Sequence, residues 1–252
     1  MTSQSGTEYA ETDQFRDALI RQSDVSGLEI RDCWFESRLK IVDAFGKDVY
    51  LGGDFGRVVV NDVDVTAYVE AELDRAEPNR VLAREAQTAD EIRAAWDAIE
   101  ATWAATVERA RDLPEKMLHE RVDDEWSFVE TLRHLLYASD KWFGNPVLEE
   151  ESPYHPLGYG PMDAPAEVGL TLDVVASLEE VLEPRLARMA TIRRYVDALT
   201  ADELDRLCAR APVGNDPDAD YEVRRCLKVV LAEEAEHHRY AVRDLAVLTS
   251  RG

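Results

Sequence analysis

A mainly α-helical protein, a four-helix bundle behind a repetitive, non-helical N-terminal stretch, is the fold the sequence predicts. Three observations carry that reading. Apolar residues recur at every fifth position from Phe15 to Val65, a spacing that neither a helix (about 3.6) nor a strand (about 2) produces. Beyond them the apolar period becomes helical, in long stretches, two of them opened by Ser/Thr-x-x-Glu capping boxes. The composition, 45% hydrophobic and 32% charged over 252 residues, is enough for a real core in one large domain or two small ones.

Stepping by five from Phe15 lands on Ile20, Val25, Ile30, Phe35, Lys40, Phe45, Tyr50, Phe55, Val60 and Val65, and only Lys40 is polar. Small residues stand two places before several of these: Ala18, Ser23, Cys33 and Gly53. The rhythm resembles the pentapeptide-repeat family, in which a large residue points into a square-sided, right-handed β-helix and a small one lines the corner. The resemblance implies a short β-helical module over residues 14–68, after a flexible tail over residues 1–13. The flanking consensus departs from the Ala-(Asp/Asn)-Leu cores of standard repeats. The plain alternative is an irregular β-rich segment with a chance apolar rhythm. A short solenoid exposes strand edges that invite pairing, so the module is expected to abut another domain or a second subunit, as in a homodimer.

Thr66 can cap a short helix that runs through Arg75 and is broken by Pro78. Residues 69–84 are therefore expected to connect the module to a bundle over residues 85–252. Thr88 with Glu91 opens the first long helix, whose stripe is Ile92, Trp96, Ile99, Trp103, Thr106 and Ala110, and Pro114 ends it. Ser127 with Glu130 opens the second, running to about Phe143 with Phe128, Leu132, Leu135 and Trp142 inward. The Pro/Gly/Tyr/His segment from Asn145 to Gly169 reads as a structured loop. A third helix is expected from Asp173 to Leu199, kinked at Pro184, and a fourth, capped by Asp220, to about Leu248. Four amphipathic helices in one block mean a bundle.

Charge and cysteines exclude several function classes. With 29 Lys+Arg against 52 Asp+Glu the net charge is −23, which repels nucleic acid and anionic membrane surfaces. No apolar window is long enough for a membrane-spanning helix. The opening MTSQSGTEYAETDQF lacks the basic and apolar regions of a secretory signal. Cys33, Cys208 and Cys226 are odd in number and widely spaced, which favours free thiols in a reducing cytoplasm. A cytoplasmic protein with small-molecule partners is expected.

The fourth helix carries the chemistry. Its apolar stripe, Val223, Leu227, Val230, Leu231, Ala241, Leu245 and Leu248, continues through Glu234 and His238. Two ionisable side chains one turn apart on a buried face need a partner, and an oxygen with a nitrogen at i, i+4 suits a divalent metal. His134, within TLRHLLYAS on the second helix, can supply a third ligand from a facing helix. The bland reading is a Glu234–His238 ion pair with His134 a satisfied core histidine. His237 lies about a hundred degrees around the helix and should face solvent or a seam. His119 and His155 fall in loops.

EWSFVETLRHLLYASDKWF, then RMATIRRYVDAL, then EEAEHHRYAVRDL, resembles the DinB-like superfamily over roughly residues 85–248. That family has a four-helix bundle with a metal held by one His of the second helix and an HxxxH pair of the last. Carried over, the ligands are His134, Glu234 and His238, with Glu234 in place of the middle His. This His, Glu, His set resembles the actinobacterial branch that includes mycothiol-dependent maleylpyruvate isomerase. The resemblance implies a divalent metal, zinc before nickel or iron, and a low-molecular-weight thiol such as mycothiol as cosubstrate. Two neutral imidazoles and one carboxylate leave a divalent ion at a net charge of +1, so a bound thiolate is neutralised and can attack an electrophile. The activity implied is S-transfer or thiol-assisted isomerisation. Against the isomerase, no long segment follows Leu248 to form its second domain. Arg239 and Arg243 could steer an anionic thiol, or simply sit on a solvated helix face. The same ligand set suits a non-haem iron enzyme, and a non-catalytic stress or scaffold protein is the third class.

Overall fold

The computed structural model describes residues 9–10, 12–31, 33–160 and 168–251. Most of the tail expected over residues 1–13 therefore lies outside the described residues, as do residues 161–167 of the expected loop. The chain divides into two compact units, Met1–Asp54 and Phe55–Gly252.

The first unit corrects the β-helix expectation. Among its described residues there are turns and bends but neither helix nor strand. A solenoid requires the five-step residues to point inward, yet Phe15, Ile20, Val25, Ile30 and Phe35 are all exposed and Phe45 is 99% exposed. Hydrogen bonds such as Arg16 N–H to the Asp13 carbonyl and Leu28 N–H to the Val25 carbonyl close single turns instead of coil-to-coil ladders. The rhythm of five is present in the sequence without the burial that would make it a repeat architecture.

The second unit opens with a two-residue antiparallel pair, β1 (Val59–Val60) and β2 (Val63–Asp64), turned by Asn61 and Asp62 at positive φ. Two helices follow, α1 (Thr66–Ala76) and α2 (Pro78–Glu85). Pro78 ends α1 and begins α2, where a missing N–H costs nothing. The stretch expected to be a connecting helix or linker consists of these two helices, and α2 packs on the bundle with Ala83 buried.

The bundle itself follows the apolar stripes. Helix α3 (Ala89–Arg111) starts at a complete Thr88/Glu91 capping box, and all six expected stripe residues, from Ile92 to Ala110, are buried. After the short α4 (Glu115–Leu118), α5 (Phe128–Ser139) starts at the Ser127/Glu130 box and runs into a π-turn over Asp140–Gly144. Helix α6 (Leu178–Asp197) contains Pro184 and is capped by Ser177, so it begins later than expected. A short α7 (Ala201–Leu204) precedes α8 (Val223–Ser250), whose expected apolar stripe is buried throughout. Glu222, not Asp220, occupies the N-cap of α8. Helix α5 packs against α6 and α8, while α3 packs against α8, α6 and α2. Trp96, Trp103, Phe143, Leu132 and Ile192 fill the centre. Among the described residues no helix is long and apolar enough to cross a membrane.

Candidate metal centre

Helix α5 is buried on nearly every side: α6 and α8 pack against it, and described residues of the segment between the π-turn and α6 bond to its Arg133. Arg133 ties that segment down. Its guanidinium donates to the carbonyls of Leu157 (2.8 Å), Thr171 (2.8 Å) and Val174 (2.9 Å), and its own carbonyl accepts the Tyr159 N–H at 3.1 Å. Tyr159 is thereby fixed beside the next residue of α5, His134.

The carbonyl of Tyr159 lies 3.1 Å from His134 Nδ1, and a carbonyl can only accept, so Nδ1 carries the proton. On the other side of the ring, Nε2 is 3.3 Å from Glu233 Oε2 on α8. One turn along α8, His237 Nε2 approaches the same oxygen at 3.2 Å. His134, Glu233 and His237 offer ligand atoms that all lie within 4.8 Å of one another. Trp126, the residue before the Ser127 cap, lays its indole against both imidazoles, with centroids 4.4 Å from His134 and 5.7 Å from His237.

This donor set fits a divalent cation. Ligand atoms about 2.0–2.1 Å from a tetrahedral ion stand about 3.3–3.4 Å apart, close to the two separations found here. A neutral His134 spends its one N–H on Tyr159, so its Nε2 lone pair points at a carboxylate oxygen. Two lone pairs facing each other are relieved by a proton on Nε2 or by a cation between them. Burial alone would raise the Glu233 pKa, but the hydrogen bonds and charge of His134 and His237 outweigh it and hold the carboxyl at about 2. Glu233 is therefore an anion at any physiological pH.

Of the three ligands expected from sequence, His134 belongs to this cluster and the other two point elsewhere. Glu234 receives Arg185 of α6 in a two-pronged ion pair, Nη1–Oε1 3.0 Å and Nη2–Oε2 2.6 Å, with the side chains 1% and 2% exposed. His238 Nε2 bonds the Thr106 hydroxyl of α3 at 2.9 Å, and its ring stands edge-on to Trp103. Burial, then the nearby Arg109, lowers the His238 pKa. The physical reason is rotational. The apolar stripe of α8 carries Glu234 and His238 into the core against α3 and α6, whereas Glu233 and His237, one residue back, reach the seam with α5 where His134 lies. EExxHH contains two pairs with the same i, i+4 spacing, and the stripe selects the structural one. Arg239 and Arg243 both lie over the Tyr240 ring and bond Glu236 and Asp244 respectively. Trp126 and Tyr159 were not singled out by the sequence, although Trp126 directly precedes the Ser127 capping box.

Arg133 should act as a positioning residue for this centre. Arg133→Met strands the three carbonyls and loosens the segment that presents Tyr159, although the Tyr159 N–H bond to the backbone carbonyl of residue 133 remains, so metal affinity is expected to fall by up to about tenfold. Competition with a fluorescent chelator measures it, and an unchanged affinity would show that the Arg133 guanidinium does not position the centre.

A family model described as the DinB superfamily matches residues 98–241, more than half the chain. No curated protein and no solved structure matches.

Proposed function

Because the chain belongs to the DinB superfamily, we propose that it is a metal-dependent enzyme that uses a low-molecular-weight thiol, transferring its sulfur to an electrophile or using it to assist an isomerisation. The convergence of His134, Glu233 and His237, with His134 anchored through Tyr159, is the observation that carries this reading. A divalent cation at these residues, zinc ahead of nickel or iron, supplies the positive charge that keeps a thiol ionised near neutral pH. The chain's own residues set the conditions for that. Glu233 contributes one negative charge and the two imidazoles none, so the centre retains a net +1 to attract an anionic sulfur. Three protein ligands leave a coordination position open, as a catalytic centre needs. Trp126 shields the two imidazoles from water on one side. Mycothiol is the thiol we favour, since the His, Glu, His set resembles that of the mycothiol-dependent branch.

Cobalt(II)-loaded protein titrated with mycothiol tests the proposal. Thiolate coordination should add a near-ultraviolet charge-transfer band that is absent from His237→Ala. A cobalt spectrum unmoved by saturating thiol would sink the thiol reading and leave the metal centre standing. Thiol-dependent turnover that persists without oxygen separates this reading from oxidative iron chemistry.

A further inference from the structure

Away from the metal centre, two cysteines meet at the root of α8. Cys208 and Cys226 are free thiols with their Sγ atoms 4.0 Å apart. An antiparallel bridge between Leu207 and Glu222 holds the two backbone segments side by side. In it the Cys208 N–H donates to the Tyr221 carbonyl at 2.8 Å and the Val223 N–H to the Arg206 carbonyl at 3.0 Å. A disulfide requires sulfurs about 2.0 Å apart, so each needs to move by roughly an ångström, within reach of side-chain rotation over a held backbone.

We infer that Cys208 and Cys226 are a dithiol that hydroperoxides oxidise to a disulfide, a covalent clasp at the start of the helix that carries Glu233 and His237. The two thiols are unequal in the way such a reaction needs. Cys208 is half-buried, while Cys226 has no exposure, so an oxidant meets Cys208 first. Either sulfur can donate in the bond between them; with Cys226 S–H as the donor, that bond, aided by the Arg206 guanidinium, outweighs burial and lowers the Cys208 pKa, while the same bond and burial raise that of Cys226. Cys208 is the attacking thiolate and Cys226 the resolving thiol.

In the first step the Cys208 sulfur attacks one oxygen of the hydroperoxide. The S–O bond forms, the O–O bond breaks, and the departing alkoxide or hydroxide takes up the proton that Cys208 released on ionising. The Cys226 sulfur then attacks the Cys208 sulfenic sulfur. The S–S bond forms, the S–O bond breaks, and the oxygen leaves as water with the Cys226 proton. Two thiols lose two electrons and the hydroperoxide gains them.

The test treats the full-length protein with stoichiometric hydrogen peroxide, alkylates it after denaturation, and maps the peptides by mass. Cys208 and Cys226 should be lost together as one linked peptide pair that dithiothreitol reverses, while Cys33 remains alkylated. The clasp should also raise the unfolding temperature, because it closes the loop between the two residues. In Cys226→Ser, dimedone should trap a sulfenic acid on Cys208. Cys208 advancing to a sulfinic acid with Cys226 still alkylated would overturn the inference. So would both thiols surviving a dose that oxidises Cys33.

Discussion

Alanine in place of His237 is expected to abolish binding of a divalent metal, whereas alanine in place of His238, the very next residue, should leave it intact. The contrast follows from where each ring points. His237 Nε2 shares Glu233 Oε2 with His134, while His238 is spent on the Thr106 hydroxyl. A centre with three protein ligands that loses one keeps only two, and metal content after dialysis should drop from about one ion per chain to near zero. His134→Ala should do the same, and Glu233→Gln should weaken binding at least tenfold by removing the anionic ligand. The acid limb discriminates further. Glu233, held at about 2, stays ionised across the working range. Protons and metal compete for the imidazole nitrogens, so metal content should fall on acidification while Glu233 is still ionised. Should His238→Ala lose metal as fully as His237→Ala, the centre is not the one described.

Much of the bundle could be read directly from the sequence, because its determinants are local. Capping boxes at Thr88 and Ser127 are formed by residues three apart, and the stripes of α3 and α8 follow a helical period that packing does not alter. The beginning of α6 was misplaced because Ser177, with Glu180 three residues on, is a third capping box hidden behind the more conspicuous Asp173. The five-residue rhythm misled for the opposite reason. A β-helix is defined by contacts between successive coils, and nothing local says whether a large residue at each fifth place is covered.

His134 and the Glu-x-x-x-His spacing of the candidate metal cluster were legible in the sequence, whereas the structure gathers Glu233 and His237, not Glu234 and His238, beside His134. The doublets Glu233–Glu234 and His237–His238 present two identical i, i+4 pairs, and the choice between them depends on which neighbouring helix each pair faces. The buried stripe of α6, Leu178, Val181, Leu182, Met189, Ile192 and Val196, also includes Arg185. A guanidinium on a core stripe needs a buried anion, and Glu234 was the acid already placed on the facing stripe. Assigning Glu234 to Arg185 leaves Glu233 as the acid free to serve His134.

That ion pair yields the largest stability effect expected in the molecule. Arg185 and Glu234 are both essentially inaccessible to water, and Arg185 also lies 5.0 Å over the Trp103 ring. Removing one member strands a full charge in the core, at a cost of about 3–5 kcal/mol. For a unit of this size each kcal/mol is worth about 2–4 °C in Tm, so Arg185→Met should lower the midpoint by about 6–20 °C. Glu234→Gln keeps the shape and one acceptor but leaves the guanidinium without its counter-charge, and should lose a comparable amount. The double replacement, Arg185→Met with Glu234→Met, removes both charges and fills the volume with apolar atoms, so it should be far more stable than the sum of the single losses predicts. Thermal unfolding followed by circular dichroism measures all of these. Metal content, measured in parallel on the folded variants, should remain near one ion, because neither residue is a ligand. Strict additivity of the two losses would mean that Arg185 and Glu234 do not answer each other's charge, and Glu234 would again be available to the metal.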